Sequence, residues 1–288
     1  MTALAESAVP PTRVATLRTL AGVEARRYAR HPLFLIGVAL LIYMTATESF
    51  GGFAATSVDT TFAVAFSLGV LGVFVAHGLT RSMARSTETV GAAPADGITR
   101  TAALCLACLV PGVAALAWVI WAHMTMSIWS TTESAAISTA DRAVMFGAAV
   151  VYAVGGPLVG VMVGRWTRFP GAGLLAAVGL VGWCVLAGGG GLAMPASRLS
   201  NLVRLSAPFT GWESSDGPRE PTWIAGGSPV WYLVYITLLC GLAATAAMLH
   251  EASGPQRPRL IRLLVMLAVL AITSLGLAAA ADPTRVLL

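Results

Sequence analysis

The chain has 288 residues, of which 57% are hydrophobic and only 11% charged, and its mean hydropathy is +0.78. A soluble domain carries about 25% charged residues, so this chain cannot clothe a globule in charge, and the composition predicts an all-α integral membrane protein. The net charge of +5 rests on arginine alone; without lysine there is no P-loop to reach β/γ-phosphates and no Schiff base to pyridoxal or retinal. The positive excess therefore reads as membrane orientation rather than nucleic-acid binding.

Residues 1–31 are polar and basic without a leading apolar core, so no cleavable signal is expected. In VATLRTLAGVEARRYARHPL, apolar Val14, Leu17, Leu20, Ala21 and Tyr28 recur near helical spacing, with Arg18, Arg26, Arg27 and Arg30 largely off that stripe. This predicts a basic amphipathic helix lying along the headgroup layer. His31-Pro32 marks a bend, because the residue before proline avoids the α region. Seven apolar runs then have the length of a spanning helix, about 20 residues: 33–50, 61–79, 101–123, 144–163, 171–192, 230–249 and 260–281.

Three connections stand out. Residues 85–101, RSTETVGAAPADGITRT, form a polar interruption between the second and third runs. The fifth run ends in four glycines, Gly188 to Gly191, and Pro195 follows. Next comes SRLSNLVRLSAPF, predicted as a short surface helix with Leu199, Leu202 and Val203 on one face and Arg198, Asn201 and Arg204 on the other. Residues 210–228 complete the longest connection, rich in Gly, Pro, Trp and acidic residues.

Arginine placement orients the runs. One side holds Arg13, Arg18, Arg26, Arg27, Arg30, Arg81, Arg85, Arg100, Arg165, Arg168, Arg257, Arg259 and Arg262; the other holds Arg142, Arg198, Arg204, Arg219 and Arg285. The richer side is expected to be cytoplasmic, with the N-terminus inside and, given seven spans, the C-terminus outside.

Gly156, Gly160 and Gly164 recur every four residues on the fourth run, a pattern that lets two helices approach closely, within or between subunits. Ionisable residues deep in the runs are nearly absent. Glu48, Asp59, Glu133, Asp141, His77 and His123 fall near run ends and read as capping or snorkelling groups. Cys105-x-x-Cys108 lies inside an apolar run, without a second ligand pair, and reads as structural, as do Cys184 and Cys240. Met124, Met126 and Met194 read as gap fillers, and no metal site is expected. No G-x-S-x-G, H-E-x-x-H or paired-aspartate arrangement is present, so the chain is not expected to be an enzyme.

Taken together, EARRYARHPLF before the first run, RSTETVGAAPADGITRTAAL between the second and third, and the long connection with a surface helix before the sixth resemble the ABC-2 type permease family, the membrane subunits of bacterial ABC exporters. The resemblance covers roughly residues 17–249. The central stretch is similar to the family's R-x-x-T-E…P…R pattern at Arg85, Thr87, Glu88, Pro94 and Arg100. It implies a polytopic bundle forming one transmembrane domain over 1–288: a tail and elbow helix over 1–31, a six-span core over 33–249 and a seventh span over 260–281. It also implies that a separate ATP-binding subunit docks at Arg85, Thr87, Glu88, Pro94, Asp96 and Arg100. A short helix there would start at Ser86 or Thr87 and end at Pro94 and Gly97. ATP is used by the partner, so the chain itself needs no cofactor, and a second permease copy or paralogue completes a dimer in the bacterial cytoplasmic membrane. A membrane anchor or sensor subunit of an envelope complex is the alternative function.

Overall fold

The structure, a computed structural model, describes residues 13–50, 60–89, 96–126, 138–167, 169–190, 194–195, 197–210, 213–215, 222–224, 226–281 and 286–287. Helix α1 (Arg13–Ala29) meets α2 (Pro32–Phe50) at an angle of 58°. Pro32 lacks an N–H and disfavours helix at His31, and the His31 imidazole accepts from the Leu33 amide at 3.3 Å, covering one of the open donors of α2. The inward stripe of α1 runs through Leu17, Leu20, Ala21, Glu24 and Tyr28, with Glu24 and Tyr28 buried.

The next rod is continuous: α3 (Thr60–Val64), a π-helical stretch (Ala65–Val70) and α4 (Leu71–Thr89). Helices α5 (Gly97–Ala107) and α6 (Leu109–Met126) share one span with a break at Cys108. Pro111 explains the break, since it offers no N–H to the Ala107 carbonyl four residues back and its ring crowds that carbonyl. Helix α7 (Thr139–Trp166) is 28 residues long, starts on a Ser138 cap and carries Pro157 inside. Helix α8 (Ala172–Trp183) runs into a second π-helical stretch (Cys184–Gly189). After it come α9 (Arg198–Leu205), strands β1 (Glu213–Ser215) and β2 (Thr222–Ile224), helices α10 (Pro229–Glu251) and α11 (Gln256–Ala280), and β3 (Val286–Leu287). The strands form one small antiparallel sheet in the order β1-β2-β3, pairing Ser214 with Trp223 and Trp223 with Leu287.

Six rods among the described residues are long and apolar enough to cross a bilayer: Thr61–Met83, Gly97–Ala122, Thr139–Trp166, Ala172–Gly189, Pro229–Glu251 and Gln256–Ala280. The α1–α2 pair makes a seventh if the bent pair is counted as one span. The described residues are thus almost wholly helical, with the character of a multi-pass membrane protein.

Helix α7 is the hub, packing against α10, α4, α6 and α8. The contact with the α3–α4 rod is backbone on backbone. A methyl group built on Gly156 would overlap the Gly69 carbonyl, and one on Gly160 the Val73 carbonyl. One on Gly164 would lie 3.0 Å from Thr80. The glycine series therefore packs within the subunit. In the span rod, 72% of the most apolar window is buried, against 22% for α11, so α4 is central and α11 peripheral.

Two local expectations are corrected. The helix expected to begin at Ser86 or Thr87 does not begin there: α4 continues through Thr89, because nothing from Arg85 to Thr89 breaks a helix. Gly97 opens α5 instead of ending a helix. On α9 the inward face is largely the polar one, although Arg198 is exposed and Val203 packs against the core. Asn201 and Arg204 are buried while Leu199 and Leu202 are exposed, as suits a helix whose outer surroundings are apolar.

Substituting Gly160 with Ala is expected to cost about 1–3 kcal/mol through overpacking, read as a lower unfolding midpoint in detergent. Gly179→Ala, on α8 with open space around it, should leave that midpoint unchanged or slightly higher.

Candidate functional site

The arginine-rich ends of α1, α4, α5, α7 and α10 converge on a polar cluster. Glu24, buried on α1, accepts from Arg27 Nη1 at 2.9 Å, and Arg27 Nη2 reaches Ser82 Oγ on α4 at 2.9 Å. A carboxylate at this depth is sustained by its paired guanidinium, so α1 is pinned to α4 by charge as well as by Tyr28. Helix α1 also packs along α5.

The second knot joins α7 to α10. Arg165 Nη1 lies 3.1 Å from Glu251 Oε1, and Arg165 Nη2 lies 3.5 Å from Met83 Sδ on α4. Glu251 also presses against the first residue of α5: a methyl group on Gly97 would sit 2.5 Å from Glu251 Oε2. Gly97 therefore has no side chain because a carboxylate occupies that space. One ion pair ties together the ends of α4, α5, α7 and α10.

Among the expected docking residues, Arg85, Thr87 and Glu88 lie in the last turns of α4, and Arg100 in the first turns of α5. Pro94 lies outside the described residues. Asp96 is the N-cap of α5, accepting from the Thr99 amide at 3.1 Å. Its carboxyl is held below the ordinary carboxylate value, first by hydrogen bonding to Thr99 and further by nearby Arg13, against a smaller opposing effect of burial. The Arg165–Glu251 knot thus touches α5 at Gly97 and α4 at Met83.

The opposite end has a different arrangement. After α9, residues 206–210 turn back into the bundle, with Ala207, Phe209 and Thr210 buried. Tyrosines hold them there. Tyr235 donates to the Ser206 carbonyl at 3.0 Å, Tyr232 to the Ala207 carbonyl at 3.0 Å and Tyr152 to the Thr210 carbonyl at 3.3 Å. Arg204, almost fully buried, donates to the Gly226 carbonyl. The segment is tucked into the bundle, and its Ser206, Ala207 and Thr210 carbonyls are satisfied by tyrosine side chains from the spans.

His77 departs from the snorkelling expectation. Its ring is buried between Gly164 and Gly173, and Nε2 has no hydrogen-bond partner among the described residues. Asp141 does serve at a helix start, where Ser138 accepts from its amide and donates to its carboxylate. The side chains of Glu48 and His123, and residues Asp59 and Glu133 altogether, lie outside the described residues. No group of three metal-ligating side chains exists among the described residues.

The Arg165–Glu251 pair and Glu24 were absent from the sequence reading. The signal for the pair was present: both residues end apolar runs on the same side, with opposite charge. Searches against protein-family models, curated proteins and solved structures find no match to this chain.

Replacing Glu251 with Gln strands the Arg165 guanidinium, whose side chain is only 10% exposed, and should cost about 3 kcal/mol. The further change Arg165→Met should recover part of that loss, giving a non-additive cycle in thermal unfolding. Asp96 sets an acid limb. With a lowered folded pKa its contribution is complete at neutral pH and fades only as pH falls below the ordinary carboxylate range. Asp96→Ala should cost about 1 kcal/mol at neutral pH and shrink that limb, measured by unfolding across the acid range.

Proposed function

We propose that the protein is the permease subunit of an ATP-binding cassette exporter of the ABC-2 type. It sits in the bacterial cytoplasmic membrane with its N-terminus in the cytoplasm and works as a dimer with a second copy or a paralogue. A separate ATP-binding subunit supplies the energy, since this lysine-free chain has no P-loop of its own.

One observation carries this reading: the start of α5 at Gly97 lies against Glu251, which the Arg165–Glu251 pair ties to the ends of α7 and α10. A partner pushing there moves two spans rather than a loose turn. Force enters at the last turns of α4 and first turns of α5, around Glu88, Asp96 and Arg100. It passes through the ion pair to α7, and from there along the glycine contact to the α3–α4 rod. Elbow helix α1, pinned by Glu24–Arg27–Ser82, holds the rim of the same surface. At the far end the tucked-in segment between α9 and α10 closes the bundle, where a gate on a pathway between two subunits belongs. Two global arrangements biased by ATP at the partner are what such coupling requires.

The reading is tested by affinity capture. The tagged protein should bring down an ATP-binding subunit encoded beside it, and capture of no such subunit overturns the proposal in favour of an anchor or sensor role. Within a functional complex, Glu88→Ala and Arg100→Ala should each lower ATP-driven transport several-fold while leaving the unfolding midpoint of the chain in place.

A further inference from the structure

Between α7 and α10 runs a half-open groove of about 370 Å³ whose wall has almost no polar surface. Its α7 side extends from Val151 to Met162 and its α10 side from Ile236 to Ala246, about 16 Å and 15 Å at 1.5 Å per residue. Pro208 and Phe209 of the tucked-in segment stop it at one end. At the other end Met162 lies one turn short of Trp166, where α7 ends. The groove therefore reaches from the arginine-rich surface to mid-bundle. That depth matches one leaflet, half of a hydrocarbon core about 30 Å thick.

The mouth has a different chemistry. Trp166 Nε1 donates to the Ala246 carbonyl at 2.9 Å, and its ring meets His250 edge-on at 5.4 Å. Both side chains are exposed, an amphipathic pair of the kind found at headgroup level. On α11, Leu264 lines the groove, and Arg257 shares its face two turns nearer the arginine-rich end. Arg257 is exposed and has no ion-pair partner among the described residues. Glu251, the nearest acid along the chain, is already engaged by Arg165 at 3.1 Å. An apolar slot one leaflet deep, with an interfacial tryptophan at its mouth and an unpaired cation on the groove-lining face of α11, is complementary to one molecule class.

We propose that the groove holds an acyl chain of an anionic phospholipid from the leaflet on the arginine-rich side, with its phosphate at Arg257 beside Trp166 and His250. The site requires only that the bundle sit in a bilayer and is independent of any ATP-binding partner.

The test uses the whole chain reconstituted in vesicles of phosphatidylglycerol and phosphatidylcholine in equal parts, then extracted for native mass spectrometry. The wild-type chain should retain phosphatidylglycerol in preference to phosphatidylcholine. Arg257→Gln should cut that preference about fivefold, the effect of one basic side chain near the surface. Arg259→Gln, on a different face of α11, should leave it unchanged. Ala246→Phe, which fills the slot, should reduce retention of both lipids; if that variant does not fold, Leu264→Phe takes its place. Equal retention of the two lipids by the wild type overturns the proposal. So does an Arg259 effect as large as that of Arg257, which marks a diffuse field, or a filled groove that keeps its lipid.

Discussion

The fold depends on one close approach of backbones. Gly156 and Gly160 let α7 lie against the carbonyls of Gly69 and Val73 with no side chain between. In lipid there is little hydrophobic gain from bringing two apolar helices together, so association rests on packing and on polar contacts. A glycine face maximises the first. The π-helical stretch Ala65–Val70 lies at this contact. Gly69 of this stretch lies against Gly156, and Pro157 sits beside Gly72 one turn further on. With α7 fixed to the α3–α4 rod, α6, α8 and α10 have a common surface to pack on.

From that hub the two ends of the bundle diverge in chemistry. The arginine-rich end is held by charge: Glu24 with Arg27, and Arg165 with Glu251. The other end is held by hydrogen bonds to backbone carbonyls, from three tyrosines and from the buried guanidinium of Arg204. Charged pairs have two discrete states, made or broken, and breaking one leaves a costly buried ion. Hydroxyl-to-carbonyl bonds exchange at lower cost.

The spans were legible in the sequence because hydropathy over some 20 residues is a strong signal, and each apolar run corresponds to a helix. The bend at His31-Pro32 was legible because proline has a fixed local geometry. Faces and ends were harder. The amphipathic pattern of α9 was visible, but its sign was not: a leucine face points inward in water and outward in lipid, and Arg204 had buried carbonyls waiting for it. The start of α5 went to Asp96 and not Ser86 because α4 had no reason to stop. His77 carries no marker in the chain of the two glycines that receive its ring. The candidate site was legible as a region, residues 85–100, but its anchor was not, since Glu251 lies over 150 residues from Gly97 and only the fold makes them neighbours.

The buried guanidinium of Arg204 also sets an order of assembly. Part of its surroundings comes from residues made later: Gly226 accepts from it, and Gly227, adjacent to that carbonyl, lies close to Ala278 near the end of α11. Ala278 follows Arg204 by about 70 residues, roughly 4–14 s of synthesis at 5–20 residues per second. During that interval Arg204 lacks its Gly226 acceptor. The segment that closes one end of the bundle is thus among the last parts to settle, after α10 and α11 have crossed.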